Sequence, residues 1–249
     1  MCDIITSRDN ARVKALAALR HNRDRLEQSR YIVEGEKLVD EAVAYADVET
    51  LMFAEHDAVK YAERYSGVVC EKLVLADHVF DKVCDTRTPQ GVIATVKMPP
   101  DRMPEGLLEG FVVALECIQD PGNLGAILRS ANALGALAVV LLPGCASWHS
   151  PKVVRASMGA QFHIPIIGMT LDELLLHKNG RYFIAADVNG SETAPTKHVN
   201  TVLLIGNEGA GLSEQLLAAA DYKYRLPMKG KAQSLNAAVA AGIIMYKLI

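Results

Sequence analysis

The sequence has 249 residues, half of them hydrophobic, and a formal net charge of −3. This length is better suited to two compact domains than to one core, and the small negative charge argues against a strong general nucleic-acid binder. No apolar run reaches the roughly 18 residues of a membrane span, and the N-terminus lacks the apolar segment of a signal peptide, so we expect a soluble, cytoplasmic protein with no membrane partner.

The first 30 residues are basic, with seven Lys and Arg against four Asp and Glu, although residues 31–110 are acidic. After Ser7 the spacing of Val13, Leu16, Ala17 and Leu26 predicts one helix with an apolar face. Its arginines suit contact with phosphates by charge alone, or equally a solvated helix face.

The next segments predict a small α/β domain over residues 1–96. Three short apolar runs, YIVE, TLMFA and VVC, alternate with amphipathic segments such as EKLVDEAVAYA, and the domain ends with the strand GVIATV at 91–96. Residues 97–110 hold three prolines and two glycines, and this density of helix and strand breakers indicates a linker.

From residue 111 onward the pattern predicts a second α/β domain, over 111–249. Nearly uninterrupted apolar strands alternate with helical segments: FVVALEC, ALAVVLL, HIPIIG, YFIAAD and TVLLIG. Such strands are typical of a parallel sheet covered on both faces. Ligands bind at the carboxyl ends of these strands, so we expect a site among the loops after Cys117, Leu142 and Gly206.

Common cofactor and metal patterns are absent from the sequence. There is no G-x-G-x-x-G after a strand and no G-x-x-x-x-G-K-[ST]. The five cysteines are odd in number without C-x-x-C spacing, and the histidines form no H-E-x-x-H, so we predict neither a disulfide framework nor a metal site.

The loop after the first strand of the second domain reads ECIQDPGNLGAILRSANALG. Asn123 is the expected N-cap of a helix over 124–134, which ends at Gly135. Gly125 precedes Arg129 by one turn, so its missing side chain leaves room for a ligand beside the guanidinium. Equally, Gly125 only permits close packing and Arg129 is a surface cation.

Two later loops carry polar residues at strand ends. In GNEGAGLS the glycines permit close backbone approach, and Glu208 lies before a helix that Ser213 caps; a purely structural role for Glu208 is the simpler interpretation. In LPMKGKAQSLN, Ser234 is the expected cap of the last helix and Asn236 lies in its first turn.

Three segments, NLGAILRSANALG, IGNEGAGLS and LPMKGKAQSLNAAVAAGI, resemble the signature motifs of the SpoU (TrmH) family of RNA ribose 2′-O-methyltransferases. The similarity covers residues 111–249 and includes SPKVVRASMGA. Residues 1–96 are similar to the family's separate substrate-binding domain, which resembles a small ribosomal RNA-binding protein. The resemblance implies a trefoil-knotted SPOUT-type α/β domain, S-adenosyl-L-methionine as methyl donor, and a homodimer with its active site near the subunit interface.

The resemblance also implies site residues. The catalytic positions are Asn123, Arg129, Glu208, Ser234 and Asn236. The cofactor-binding positions are Gly206, Asn207, Gly209, Leu226, Met228 and Leu235. In this interpretation Arg129 positions the RNA phosphate and stabilises the developing alkoxide, while Glu208 holds either Arg129 or Asn123 in place.

The leading hypothesis is a methyltransferase acting on ribosomal RNA, with transfer RNA as the alternative substrate. A non-catalytic RNA-binding protein and a nucleotide-dependent oxidoreductase are the other classes, disfavoured by the intact motif residues and by the absent dinucleotide fingerprint. Trp148, the single tryptophan, is expected in a dimer interface or stacked on a base. Ser130 stands where threonine is common in the family, a departure that changes little.

Overall fold

A computed structural model describes residues 4–100, 110–196, 198–231 and 234–249. Most of the predicted linker, residues 101–109, lies outside the described residues. The strands are β1 (Ile4–Ile5), β2 (Arg30–Glu34), β3 (Val48–Ala54), β4 (Glu71–Leu75), β5 (Val92–Lys97), β6 (Phe111–Leu115), β7 (Ala138–Leu141), β8 (Ile166–Gly168), β9 (Tyr182–Ser191), β10 (Thr201–Ile205) and β11 (Tyr222–Tyr224). The α-helices are α1 (Ala11–Ala18), α2 (Asn22–Gln28), α3 (Glu36–Tyr45), α4 (Ala58–Arg64), α5 (Asp77–Val83), α6 (Pro121–Ala133), α7 (Pro151–Ser157), α8 (Leu171–Leu176), α9 (Glu214–Ala219) and α10 (Ala237–Leu248).

The chain forms two compact units. The first unit joins Met1–Pro100 to His149–Phe162, and the second joins Asp101–Trp148 to His163–Ile249. The predicted division assigns residues 149–162 to the second domain, whereas their contacts lie in the first unit. The reason is that α7 packs on β2 and that Arg155 forms an ion pair with Asp85 at 2.7 Å.

The first unit is built on a five-stranded mixed sheet of order β1-β4-β3-β5-β2. Strand β3 pairs in parallel with β4 and antiparallel with β5. The residues of β3 from Leu51 to Ala54 are all buried, because helices cover both faces of this central strand.

The structure corrects two local predictions in the first unit. The predicted first helix is two helices, so Leu26 lies on α2 and is 56% exposed rather than buried. Asn10 caps α1, since its side chain accepts a hydrogen bond from the Arg12 N–H. The predicted strand VVC is wrong: the strand begins at Glu71, and Val69 is fully exposed.

The second unit is an α/β fold on a six-stranded sheet of order β11-β9-β10-β6-β7-β8, with every pairing parallel. The five predicted strands are confirmed. Strand β11 escaped prediction because its three residues, Tyr-Lys-Tyr, carry no apolar run. The buried strands β6, β7 and β10 place their carboxyl ends, and the loops that follow, at one edge of the sheet.

Two helix caps at this edge differ from prediction. Asp120 caps α6 by accepting a hydrogen bond from the Asn123 N–H at 2.8 Å, because Pro121 occupies the first helical position that suits proline. Asn236 caps α10 by accepting from the N–H groups of Ala238 and Val239. The expected caps, Asn123 and Ser234, are therefore free of that role.

Candidate active site

A cavity at the carboxyl edge of the second unit's sheet has a volume of about 330 Å³. It lies among residues 186–189 of β9, the loop after β10, the segment after β11 and helix α10 as far as Ile244. All six residues predicted to bind the cofactor line it: Gly206, Asn207, Gly209, Leu226, Met228 and Leu235. Two of the predicted catalytic residues, Glu208 and Ser234, line it as well.

The loop after β10 is compact because of its glycines. A Cβ atom on Gly206 would lie 2.3 Å from the carbonyl of Gly211, so only glycine permits this approach. Gly211 itself has a φ of +71°, and its backbone exchanges two hydrogen bonds with that of Asn207.

The Asn207 side chain fastens this loop to the neighbouring strand. Its Oδ1 accepts hydrogen bonds from the N–H groups of Gly209 at 2.8 Å and Ala210 at 3.1 Å. Its Nδ2 donates to the carbonyl of Cys117, just beyond β6, at 3.1 Å. Asn207 therefore holds the cavity wall in place from both ends of its amide.

A chain of hydrogen bonds joins the three motif loops. Asn123 Nδ2 donates to Glu208 Oε1, and Asn236 Nδ2 donates to Asn123 Oδ1 at 2.8 Å. Because Asn236 also caps α10, the first turn of α6, the glycine loop and the start of α10 are fixed to one another. Of the two partners expected for Glu208, the structure gives Asn123.

Arg129 stands apart from this chain. Its side chain is exposed on α6, does not line the cavity, and has no hydrogen-bond or ion-pair partner among the residues that the structure describes. Its position nine residues after the Asp120 cap places it on the same helix as Asn123. The guanidinium is available to an anionic ligand from solvent.

The sequence-based predictions missed part of the cavity wall, and they included the loop after Leu142, which does not line the cavity. Asp187 and Asn189 of β9 and Arg225 after β11 line the cavity. The carboxyl end of the strand YFIAAD could have indicated these residues, because it lies at the same edge of the sheet. It was passed over because it carries no glycine motif. None of residues 143–148 lines the cavity; Cys145 in that loop contacts the backbone of Leu115 and Ile118 instead.

Within the described parts of the chain, no group of three or more His, Cys, Asp or Glu side chains is placed to hold a metal ion. In those same parts no helix is long and apolar enough to cross a bilayer.

The fold and cavity together define the class: a parallel α/β domain with a cavity at the carboxyl edge of its sheet, lined in part by the C-terminal helix. Residues 110–246 match the SpoU rRNA Methylase family, and residues 10–94 match the MRM3-like substrate binding domain. The chain belongs to the SpoU rRNA methylase family.

Relatives align over nearly the whole chain. It is 32% identical to the 23S rRNA (guanosine(2553)-2′-O)-methyltransferase RlmP of Bacillus subtilis, with 98% of both chains covered. It is 34% identical to the 23S rRNA (uridine(2479)-2′-O)-methyltransferase of Streptomyces viridochromogenes, covering 98% of this chain and 91% of that one. The crystal structure of the AdoMet-bound rRNA methyltransferase from Sinorhizobium meliloti superposes with a TM-score of 0.86 at 31% identity, covering 99% of this chain and 97% of that one.

Proposed function

We propose that this protein methylates a ribose 2′-hydroxyl of ribosomal RNA, with S-adenosylmethionine as the methyl donor. The observation that carries the proposal is the hydrogen-bond chain from Glu208 through Asn123 to Asn236, which ties all three family motifs together beside the cavity. The intact chain also argues against a member of the family that only binds RNA.

The cavity fits the proposed methyl donor. Its volume, about 330 Å³, falls within the range of roughly 300–1,000 Å³ typical of small-molecule sites. Leu226, Leu235 and Ile244 supply apolar walls that suit a purine ring, and the missing side chain of Gly206 keeps one wall at backbone distance. We assign Gly206, Asn207, Gly209, Leu226, Met228 and Leu235 to cofactor binding.

When bound, S-adenosylmethionine supplies a methyl group already activated by its sulfonium. The remaining work of the protein is to align the ribose oxygen and to stabilise charge that develops on it. Arg129 is a poor base in its charged form, because a guanidinium has a pKa above roughly 12. We therefore assign it to the RNA phosphate and to the developing alkoxide.

Asn123 and Ser234 orient these partners in the proposal. Glu208 fixes the amide of Asn123 by accepting its hydrogen bond, and Asn236 fixes the other end of the same amide. Ser234 lines the cavity with an exposed hydroxyl, free of the capping role that Asn236 has taken.

Ribosomal RNA is the proposed substrate rather than transfer RNA. Two relatives aligned over 98% of this chain are named as 23S rRNA enzymes, and residues 10–94 match a substrate-binding domain. Such an enzyme meets its substrate in the cytoplasm.

A homodimer and a trefoil knot complete the proposal. The exposed side chains of Val239, Ile243 and Tyr246 follow one another at helical spacing along α10, which supports a second copy of the chain as the partner of this face. The proposed knot makes α10, which packs on α6 and β10, the threaded element.

Two measurements test the function. Calorimetry should detect binding of S-adenosylmethionine and not of NAD, because the cavity follows the SpoU motifs rather than a dinucleotide fingerprint. Incubation with 23S rRNA and with transfer RNA, followed by mapping of 2′-O-methyl groups, should show modification of the former. Binding of NAD alone would contradict the proposal, and methylation confined to transfer RNA would replace the substrate.

A further inference from the structure

The loops that follow β6 and β7 each carry a cysteine, Cys117 in the first and Cys145 in the second. Both lie in the second unit as half-buried free thiols, and neither lines the cavity proposed to bind S-adenosylmethionine. Strands β6 and β7 pair in parallel, with Leu115 beside Leu141 at their carboxyl ends. The two thiols therefore lie just beyond neighbouring strands, and the function proposed above uses neither of them.

The Cys145 side chain lies against the backbone on both sides of Cys117. Its Sγ accepts a hydrogen bond from the Ile118 N–H at 3.4 Å and donates to the Leu115 carbonyl at 3.3 Å. The Ile118 nitrogen is bonded directly to the carbonyl carbon of Cys117. These contacts therefore hold the sulfur of Cys145 beside the main chain of Cys117.

The Cys117 side chain in turn lies against the residues that precede Cys145. Its Sγ donates to the Pro143 carbonyl at 3.4 Å. A Cβ atom on Gly144 would lie 2.6 Å from that Sγ, so only glycine lets the thiol come this close to the backbone next to Cys145. Each thiol therefore packs on the main chain that carries the other.

The backbone and the electrostatics at this pair both set it apart from ordinary buried cysteines. Cys117 has a left-handed conformation, with φ 55°, and such strain in a residue other than glycine is concentrated at functional sites. Burial and negative charge on Cys117 raise the pKa of the Cys145 thiol, against the opposing effect of the Ile118 N–H. Because burial keeps Cys145 protonated, the thiolate that starts an exchange reaction is that of Cys117.

We propose that Cys117 and Cys145 form a redox modification site, at which a low-molecular-weight disulfide such as glutathione disulfide converts the two thiols into one intramolecular disulfide. The Cys117 thiolate attacks a sulfur atom of the small disulfide, so one S–S bond forms, another breaks and one thiol leaves. Cys145, having lost its proton to solvent, then attacks the Cys117 sulfur and releases the second thiol. The protein loses two electrons and two protons, and the two released thiols gain them.

Cys117 is linked to the proposed cofactor site through its backbone. Its carbonyl accepts a hydrogen bond from Asn207 Nδ2 at 3.1 Å, and Asn207 lines the cavity. The two sulfur atoms, now hydrogen-bonded to separate carbonyls, must approach to about 2.05 Å to form a bond, which moves Cys117. The disulfide therefore disturbs the Asn207 anchor and weakens cofactor binding. This consequence rests on the proposed function, whereas the disulfide itself does not.

Peptide mapping tests the disulfide. The reduced 249-residue chain is incubated with glutathione disulfide, its remaining thiols are blocked with iodoacetamide, and its tryptic peptides are analysed by mass spectrometry without reduction. Trypsin cuts after Arg129, between the two cysteines, so the expected product is residues 103–129 joined to residues 130–152. Dithiothreitol should separate the two peptides. Glutathione retained on Cys117 or Cys145, or no reaction at either residue, would overturn the proposal.

Calorimetry before and after the same treatment tests the link to the cofactor site. Loss of the Asn207 hydrogen bond should raise the Kd for S-adenosylmethionine by about fivefold, and dithiothreitol should restore it. Cys117→Ser keeps a donor for the Pro143 carbonyl but removes the attacking thiol, so this variant should bind as the wild-type protein does and ignore the oxidant. Cys70→Ser, in the first unit, is the matched control and should respond to oxidation like the wild-type protein.

A second variant covers the case in which Cys117→Ser does not fold. Cys145→Ser keeps a donor for the Leu115 carbonyl but removes the second thiol, so glutathione should remain on Cys117 and no joined peptides should form.

The outcomes separate the redox site from the proposed function. A disulfide that leaves the Kd unchanged would overturn the link through Asn207, and a Kd that rises equally in Cys117→Ser would assign the effect to another cysteine. A reduced wild-type chain that does not bind S-adenosylmethionine would instead defeat the proposed function, while the joined peptides would still decide the disulfide.

Discussion

Asn123 uses both ends of its side-chain amide, donating to the Glu208 carboxylate and accepting from Asn236. A carboxylate at this position would face another carboxylate, so Asn123→Asp should lower the free energy of unfolding by about 1 kcal/mol, less at high salt because the pair is partly exposed. Urea denaturation measures this change.

The double variant Asn123→Asp with Glu208→Gln provides the control for that prediction. It restores one carboxylate and one amide in exchanged positions, so most of the lost stability should return, with a coupling energy of about 0.5–1 kcal/mol. If the two single effects simply add, the hydrogen bond does not couple these loops.

Arg129 offers a different residue-scale test, because it is exposed and lacks a partner among the described residues. Arg129→Ala should leave the Tm and the Kd for S-adenosylmethionine unchanged, while methyl transfer falls by a factor of about 100 or more. Arg129→Lys, which retains the charge without the planar fork, should recover only part of the rate. Wild-type turnover in Arg129→Ala would remove this residue from the reaction.

His149 gives the first unit an acid-sensitive point. Burial, and then the positive charge of Arg25, lower the pKa of its ring from 6.5 to about 4. The Arg25 Nε donates to His149 Nδ1 at 2.9 Å. The other described partners of the Arg25 guanidinium are carbonyl and amide oxygens rather than carboxylates. The folded protein therefore keeps the ring neutral.

The pH dependence of stability follows from this lowered pKa. Between pH 6.5 and about 4 the unfolded chain binds a proton that the folded chain does not, so stability falls as the pH drops through that window, by at most about 3 kcal/mol. Denaturation at stepped pH should show this slope, and His149→Gln, which keeps an acceptor for Arg25, should flatten it. His56→Gln is the control, since Asp77 raises the pKa of that exposed ring. A slope unchanged in His149→Gln would exclude this origin.

The positions of the site residues were predictable only where several local signals agreed. The resemblance placed six cofactor positions that all line one cavity, whereas the caps were mistaken because Asn and Ser near a helix start are equally plausible as caps at neighbouring positions. Asp120 won over Asn123 because proline at 121 fixes where α6 begins. No local pattern could show that Asn123 meets Asn236, a residue 113 positions away.

At the scale of elements, the buried strands were the most predictable part of the molecule. Strands such as β10, with all five residues buried, leave a continuous apolar run in the sequence. Strand β11 left no such signal because it is short and polar. The part of β9 that lines the cavity left none either, because β9 continues past its apolar run to Ser191.

Helix α10 supports the cavity from its last turn as well as its first. Ile244 lines the cavity, Leu248 is buried, and the Lys247 ammonium donates to the hydroxyl of Tyr224, another lining residue, at 3.1 Å. Deletion of residues 246–249 should therefore weaken binding of S-adenosylmethionine as well as lower the Tm.

Calorimetry on the truncated chain measures that loss, and deletion of Ile249 alone is the control because it leaves Lys247 and Leu248 in place. A chain lacking residues 246–249 that binds S-adenosylmethionine with the wild-type Kd would contradict a structural link between the end of α10 and the cavity.

At the scale of the whole molecule, the proposed homodimer makes a direct prediction. Ile243→Arg places a charge in the middle of the exposed apolar face of α10, and desolvating an unpaired charge is costly, so the variant should sediment as a monomer. Val69→Arg, at a fully exposed site in the first unit, is the matched control and should not change the sedimentation coefficient. If both variants match the wild-type protein, α10 does not form the interface.

The chain passes between its two units three times, after Pro100, after Trp148 and after Phe162. A single proteolytic cut near residue 100 would therefore leave residues 1–100 held to the rest of the polypeptide by their non-covalent contacts with residues 149–162. Exchanging residues 1–96 with those of a relative would likewise part Arg25 from His149 and Asp85 from Arg155. The two halves of this protein are not interchangeable modules, and a recombined enzyme must inherit both sides of these pairs together.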